Sequence, residues 1–346
     1  MHAIVKSRPG PGFDFLLDAP DPQVGPADVL VKVAATSLCG VDRHVYDWDQ
    51  AGQAFVPTLP RIPGHETAGV VIEVGAAVQS ISVGDRVALE SHLVCGSCME
   101  CRTGNAHLCS RQTILGLSRD GAFAQRVAVP ASACYPIPDG VSLEEAALFE
   151  PAGVAVHALQ RAPSLLGQSV LVSGCGPIGL FLIELARIAG ASRVIATELS
   201  PGRRLLAERR GAITLDPAAV DVPTEVARLT PRRQGVDVAF EASGSPRALG
   251  PVLESVRVAG DVVTVGHPGA VSVDISKLIN VRYLTLRGVF GRRLWETWET
   301  LGELVSTGRL ELAGFIDDRI PLDALPSAIA GIGDSGKVLV IPEDRS

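Results

Sequence analysis

Apolar positions change their rhythm partway along the chain. Over the first 150 residues they come in short runs, at Val29 to Ala34, Thr67 to Val74, Asp85 to Leu89 and Ala124 to Val129. Turn signals such as Pro-Gly, Val-Gly and Pro-Asp-Gly separate them. This pattern predicts a compact, mostly β domain with little room for long helices. Glu144 to Gln160 is then Ala-rich and helix-permissive, and Pro151 is expected to break its early part. From Ser169 onward strands and helices alternate. Apolar strands are predicted at Ser169–Ser173, Arg193–Thr197, Val236–Glu241 and Asp261–Val265. Helices are predicted at Pro177–Ala189, Pro201–Arg210 and Pro246–Val256. Strands apolar throughout, separated by helices of that length, predict βαβ units and a parallel sheet covered on both faces. The right-handed crossover rule makes that layer doubly wound. The tail from about Arg292 offers a helix at Trp295–Ser306 and a short element at Gly336–Ile341. It does not continue the βαβ rhythm and is expected to return to the first domain.

Composition narrows the function. The 346 residues are 47% hydrophobic and 20% charged, with 36 Gly and 24 Pro. That is a globular composition, at a length expected to form two domains. The net charge is -7 and no Lys/Arg tract stands out, so a nucleic-acid partner has no electrostatic footprint. Met1 to Gly10 contains no apolar core of signal-peptide length. The most apolar stretch, roughly Ile178 to Ala189, contains Glu184 and Arg187 and is too short to span a bilayer. A cytoplasmic protein without a membrane partner is expected. Four of the seven cysteines fall within 15 residues. Such clustering points to metal binding rather than to a disulfide framework.

One motif points to a dinucleotide. Gly174-Cys175-Gly176-Pro177-Ile178-Gly179 follows an apolar strand and opens an apolar helix. In that context Gly174 permits a tight turn and Gly176 lets backbone approach a pyrophosphate. Gly179 allows close helix–strand packing. Pro177 suits the first helical turn, and the phosphates would rest on the helix N-terminus. The next strand runs into Glu198, 24 residues after Gly174. A carboxylate there accepts hydrogen bonds from ribose hydroxyls and repels a 2'-phosphate, which favours NAD over NADP. Arg203 and Arg204 follow closely and temper that preference.

Two sets of residues resemble metal ligands. Cys95, Cys98, Cys101 and Cys109 follow a C-x2-C-x2-C-x7-C spacing. Four thiolates suit a closed, structural Zn²⁺ site. Ferredoxin-type clusters share the opening spacing but take their fourth cysteine after three residues, followed by Pro. The second set is dispersed: Cys39, His65, Glu66 and Glu150. A cysteine, a histidine and one or two carboxylates can hold Zn²⁺ with a position left for water or substrate. Their separation in sequence leaves proximity open, and Cys39 alone reads equally well as a small buried apolar residue.

Taken together, Gly-His-Glu after Pro63, the four-cysteine loop and the glycine fingerprint occur in the order found in zinc-containing medium-chain alcohol dehydrogenases. The chain resembles that family over essentially its whole length. The strings Cys39 to Trp48, Glu90-Ser91-His92, Glu150 to His157, Phe290 to Trp298 and Gly333 to Val338 are most similar to its threonine-oxidising branch. Polyol and other amino-alcohol dehydrogenases share several of them. The resemblance implies a GroES-like, mostly β catalytic domain at 1–153 and 291–346, and a Rossmann α/β domain at 154–290. It implies two zinc ions per chain, one structural and one catalytic. The catalytic ion would sit on Cys39, His65 and Glu66, with Glu150 as a further or exchanging ligand. It assigns His44 to a proton relay and His92 to a place beside a small alcohol substrate. It implies a homotetramer. One position departs from the pattern. Val41 stands where the family usually has Thr or Ser, and valine neither donates nor accepts a hydrogen bond. The departure leaves room for a zinc- and NAD-binding protein without catalysis. His157, Trp295 and Trp298 read as packing residues.

Overall fold

Six parallel strands form the sheet that carries the glycine motif: Ser169–Ser173, Arg193–Thr197, Ile213–Leu215, Val236–Glu241, Val256–Thr264 and Thr285–Gly288. Numbered in chain order, they lie across the sheet as 3-2-1-4-5-6, the doubly wound order of dinucleotide-binding folds. The computed structural model describes residues 1–331 and 336–342. Gly333, Asp334 and Ser335 of the closing string lie outside the described residues. The chain divides into two compact units, Met1–Glu150 with Arg293–Ser346, and Pro151–Arg292.

In the second unit every residue of the first strand is buried, as a central parallel strand requires. Three strands have their predicted bounds. The fourth begins at Val256 instead of Asp261, because Val256 already pairs with Val236 before a register shift. The helix before it is correspondingly shorter, Leu249–Ser255. Ile213–Leu215 and Thr285–Gly288 lie at the two edges of the sheet. Neither carries a run of buried residues, so neither has an apolar signature.

The first unit is built on an antiparallel sheet. Its strand order runs Ile316–Pro321, Lys337–Ile341, Asp28–Ser37, Glu66–Val74, Arg86–Leu89, Cys134–Pro136. Only the pair Ile316–Pro321 and Lys337–Ile341 is parallel within it. Arg126–Pro130 also pairs with Asp28–Ser37. Alternate residues Val29, Val31 and Val33 pack with Val71, Val87 and Leu89 in one core. The tail returns to this sheet: Lys337–Ile341 pairs antiparallel with Asp28–Ser37. Helix Gly40–Asp47 is anchored by buried Lys6, whose Nζ donates to the carbonyls of Gly12 and Tyr46, each at 3.1 Å.

The Ala-rich stretch forms two helices, Leu143–Ala146 and Phe149–Arg161. Ser142 and Glu145 cap the first reciprocally. Pro151 does not break the second. It is the third residue, in a first turn that has no N–H partner to lose. Among the described residues no helix is long and apolar enough to cross a membrane.

The glycine motif carries a measurable consequence. A Cβ added at Gly179 would sit 1.9 Å from the Gly174 carbonyl oxygen, so backbone has to move. Gly179→Ala is expected to destabilise the protein by about 1–3 kcal/mol through overpacking. Urea unfolding measures it, and an unchanged midpoint would contradict the packing role.

Candidate metal and nucleotide sites

Strand register assembles the dispersed set. Ser37 pairs with Glu66, and Thr36 with Thr67, at the ends of two antiparallel strands. Cys39 lies two residues beyond one end, and His65 one residue before the other. Gly64 makes the approach possible: its φ is +93°, and a Cβ there would meet the Phe123 backbone nitrogen at 2.7 Å. Cys39 then caps helix Gly40–Asp47, and its N–H donates to Asp42 Oδ2 at 2.9 Å. One donor atom from each of Cys39, His65 and Glu66 lies within 4.8 Å of the others. Glu150 falls outside this trio, yet its charge acts on both His65 and Glu66.

The electrostatics of the trio favour a cation. His65 Nδ1 and Asp42 Oδ1 are buried without hydrogen-bond partners and face each other at 3.8 Å. Burial alone would depress the His65 pKa, but Asp42, Cys39 and Glu150 outweigh it and lift it to about 10. A nitrogen, a sulfur and a carboxylate gathered in one buried, anionic pocket match the donor set of Zn²⁺. Asp42 supplies the outer carboxylate that commonly accompanies a metal-bound histidine.

Sequence reasoning missed the partners of the two carboxylates. Lys337, 2% exposed, reaches in from the tail strand. Its Nζ forms an ion pair with Glu66 Oε2 and donates to the Leu38 carbonyl at 3.0 Å. Ser37 Oγ donates to the same Glu66 oxygen. Ser91 Oγ donates to Glu150 Oε1 at 2.6 Å. Trp298 packs against Tyr135, Phe149 and Trp295 as expected, and it does more. Its indole N–H donates to buried Glu90 Oε2 at 2.8 Å, while Glu90 Oε1 accepts the backbone N–H of His92 at 2.8 Å. His92 is itself 9% exposed. No spacing rule links residues so far apart in the sequence.

The remaining residues divide. His44 is half-exposed on helix Gly40–Asp47, with Nδ1 2.6 Å from Asp49 Oδ2. Val41, on the same helix, packs against the apolar cluster of Ile4, Phe13, Leu38 and Val45. His157 is buried, and its Nδ1 lies 3.0 Å from the Gly291 carbonyl.

The four-cysteine loop closes on itself. The sulfurs of Cys95, Cys98, Cys101 and Cys109 lie within 4.8 Å of one another. Backbone N–H groups of Cys95, Cys98 and Arg111 each donate to a cysteine sulfur at 3.4 Å. N–H groups of Ser97 and Cys98 hold the Cys95 thiol down at about 5, while burial and the neighbouring thiols push Cys101 up to about 12. Arg111, unnoticed in the sequence, places its guanidinium 3.3 Å from Cys95 Sγ. Four thiolates around a divalent ion leave a net charge of about -2, and a guanidinium beside them offsets part of it. These residues fit Zn²⁺.

The nucleotide motif occupies the C-terminal ends of the parallel strands. Gly174 has φ +92°, and a Cβ there would strike Ser243 Cα at 2.7 Å. Gly176 is the N-cap of helix Pro177–Ile188, with Pro177 at its first position and Ile178 next. A Cβ on Gly176 would meet only Arg203 Nη1, at 4.0 Å, so space stays open above that turn. Arg203 Nε is buried there without a partner. Glu198 accepts from the backbone N–H groups of Cys175 at 2.8 Å and Ser200 at 2.9 Å. A cavity of about 630 Å³ opens beside it, lined by Glu198, Leu199, Asp221, Val222, Ser243 and Arg247. Its size and its place at the strand ends fit a dinucleotide.

Comparison with known proteins agrees with this chemistry. Residues 25–139 match the alcohol dehydrogenase GroES-like domain, and residues 177–307 match the zinc-binding dehydrogenase family. The L-threonine 3-dehydrogenase of Pyrococcus horikoshii is 44% identical over 90% of this chain and 89% of its own length. Among solved structures, a protein described as a zinc-binding dehydrogenase from Sinorhizobium meliloti, bound to NADP, is 34% identical with a TM-score of 0.88. That match covers 99% of each chain. The 2R,3R-butanediol dehydrogenase of Bacillus subtilis is 31% identical, also with a TM-score of 0.88 and 99% coverage of each chain. The chain belongs to the zinc-binding medium-chain alcohol dehydrogenases, with a GroES-like domain and a Rossmann α/β domain, and is a zinc-dependent alcohol dehydrogenase.

Proposed function

We propose that this enzyme oxidises the secondary hydroxyl of L-threonine to give 2-amino-3-ketobutyrate, with NAD⁺ as hydride acceptor. The observation that carries the catalytic part is the meeting of Cys39, His65 and Glu66 within 4.8 Å. The threonine part rests on the similarity to the Pyrococcus enzyme. In this reading Cys39, His65 and Glu66 hold a catalytic zinc, with Glu150 as a further or exchanging donor. Cys95, Cys98, Cys101 and Cys109 hold a second, structural zinc. When bound, the catalytic ion lowers the pKa of a substrate hydroxyl, and the nicotinamide accepts the hydride.

The chain's own residues do the rest. His44 takes the proton to solvent: it is half-exposed and its imidazole is oriented by Asp49. Val41 cannot pass a proton, so in this chain water has to bridge to His44. His92 stands beside the substrate, held by the Trp298–Glu90 hydrogen bonds. Gly174, Gly176, Pro177, Ile178 and Gly179 cradle the pyrophosphate. Arg203, with a buried Nε in want of a partner, supports that anion. Glu198 accepts from the ribose and disfavours a 2'-phosphate. It is fixed in place by two backbone donors. The NADP carried by the Sinorhizobium structure makes cofactor choice worth measuring.

A location in the cytoplasm and assembly into a homotetramer belong to the same reading. Self-association is supported by the sheet edge at Thr285–Gly288, where Val281, Tyr283 and Leu286 are exposed apolar side chains beside a strand whose outer edge has no partner among the described residues.

Three measurements test these statements. A panel of L-threonine, 2,3-butanediol and polyols, each run with NAD⁺ and with NADP⁺, is expected to favour threonine and NAD⁺. Stronger turnover of butanediol would move the substrate to the vicinal diols, in line with the Bacillus relative. Preference for NADP⁺ would overturn the role given to Glu198. Metal analysis is expected to find two zinc ions per chain. Cys39→Ser should remove one and lower kcat at least ~100-fold, given the several kcal/mol a Lewis acid supplies. Active protein with one zinc would defeat the catalytic site, and two zincs without turnover of any alcohol would favour a binding protein. Sedimentation is expected to give a tetramer, and a monomer at micromolar concentration would reject the assembly.

A further inference from the structure

We propose that Ser91 is a positioning residue that fixes the carboxylate of Glu150 at the catalytic centre. The inference rests on Glu150 serving as a donor there. Ser91 Oγ donates to Glu150 Oε1 at 2.6 Å, a bond between residues that are 2% and 6% exposed. The distance lies within the O–H···O hydrogen-bond range.

A glutamate carboxylate turns with little preference about its last torsion. One oxygen tied to a fixed donor sets the plane of the group and aims the other oxygen. Glu66 is treated in the same way, with Ser37 and Lys337 both on Oε2. Glu66 and Glu150 therefore each have one oxygen engaged by a serine hydroxyl.

Ser91 is a fixed donor because its backbone is held independently of its side chain. Glu90 N–H donates to the Ala133 carbonyl at 2.8 Å, and the Ser91 carbonyl accepts from Leu115 N–H at 2.9 Å. His92 and Leu93 pair with Ile114 and Thr113. The Trp298 indole N–H holds the Glu90 carboxylate, which accepts the His92 N–H of the same tripeptide. Removing the Ser91 hydroxyl therefore leaves the loop in place and takes one hydrogen bond from the carboxylate.

The test compares zinc-loaded wild type with Ser91→Ala, Ser91→Gly, Ser91→Thr and Glu150→Ala. Zinc release to a chelator is followed, with the slowly released four-cysteine zinc as internal reference. Cobalt absorption at the exchanged site and kinetics are read alongside. Ser91→Ala and Ser91→Gly are expected to weaken zinc retention at the catalytic site by about 10–100-fold, the range for lost outer-shell partners. The cobalt bands should shift, kcat should fall, and the KM for the nucleotide should stay unchanged. Ser91→Thr keeps a hydroxyl and should restore all three. If either hydroxyl-free variant folds and holds zinc like wild type while Glu150→Ala loses it, the role of Ser91 is overturned and that of Glu150 stands. If Glu150→Ala also holds zinc like wild type, Glu150 is no donor and both statements fall. If only Ser91→Thr fails to restore retention, packing rather than the hydroxyl is responsible, and the proposal is overturned.

Discussion

The pairing of Ser37 with Glu66 is the constraint on which the chemistry depends. Slipping that register by one residue would turn every side chain of a strand to the opposite face. Cys39, His65 and Glu66 would then part. The register is set from within the core, where Val29, Val31 and Val33 on one strand meet Val71 on the other. It is locked from the far side by Leu339 opposite Ser37. That second pairing carries Lys337 to Glu66. Hydrophobic alternation at one end of the sheet therefore decides which candidate ligands meet at the other.

The two halves of the chain were legible to different degrees for one physical reason. A nucleotide turn is local. Gly174, Gly176 and Gly179 fall within six residues, and the strand before them has an apolar centre, so motif and element read directly. The metal trio is non-local, made by residues 26 and 27 positions apart brought together by a sheet. Only resemblance to a family joined Cys39 to His65 and Glu66 before a structure did. Outer partners such as Lys337, Ser91, Glu90 and Arg111 left no spacing signal. Edge strands also went unseen, since Thr285–Gly288 buries too little to look apolar. Pro151 misled because the same residue stops a helix in its middle and suits its first turn.

Buried charge in the first unit is balanced in layers. Glu66 is nearly inaccessible, and burial pushes its pKa up while Lys337 works against that rise. Asp42, fully buried, faces His65 from behind. An isolated buried charge is costly, and pairing or coordination relieves it. Lys337 relieves one carboxylate permanently. The attraction still acting on His65 is what a divalent ion would satisfy. The tail is accordingly part of the site, although it enters from the far end of the chain.

Helix Gly40–Asp47 shows how chemistry can change on this scaffold at little structural cost. Its first residues follow Cys39, and its exposed face bears His44. Val41 lies between them and packs into the cluster of Ile4, Phe13, Leu38 and Val45. Exchanging a hydroxyl for a methyl at such a place removes a polar group from an apolar contact, which packing favours. Nothing in the fold resists the exchange. In the proposed mechanism its effect falls on the proton path to His44.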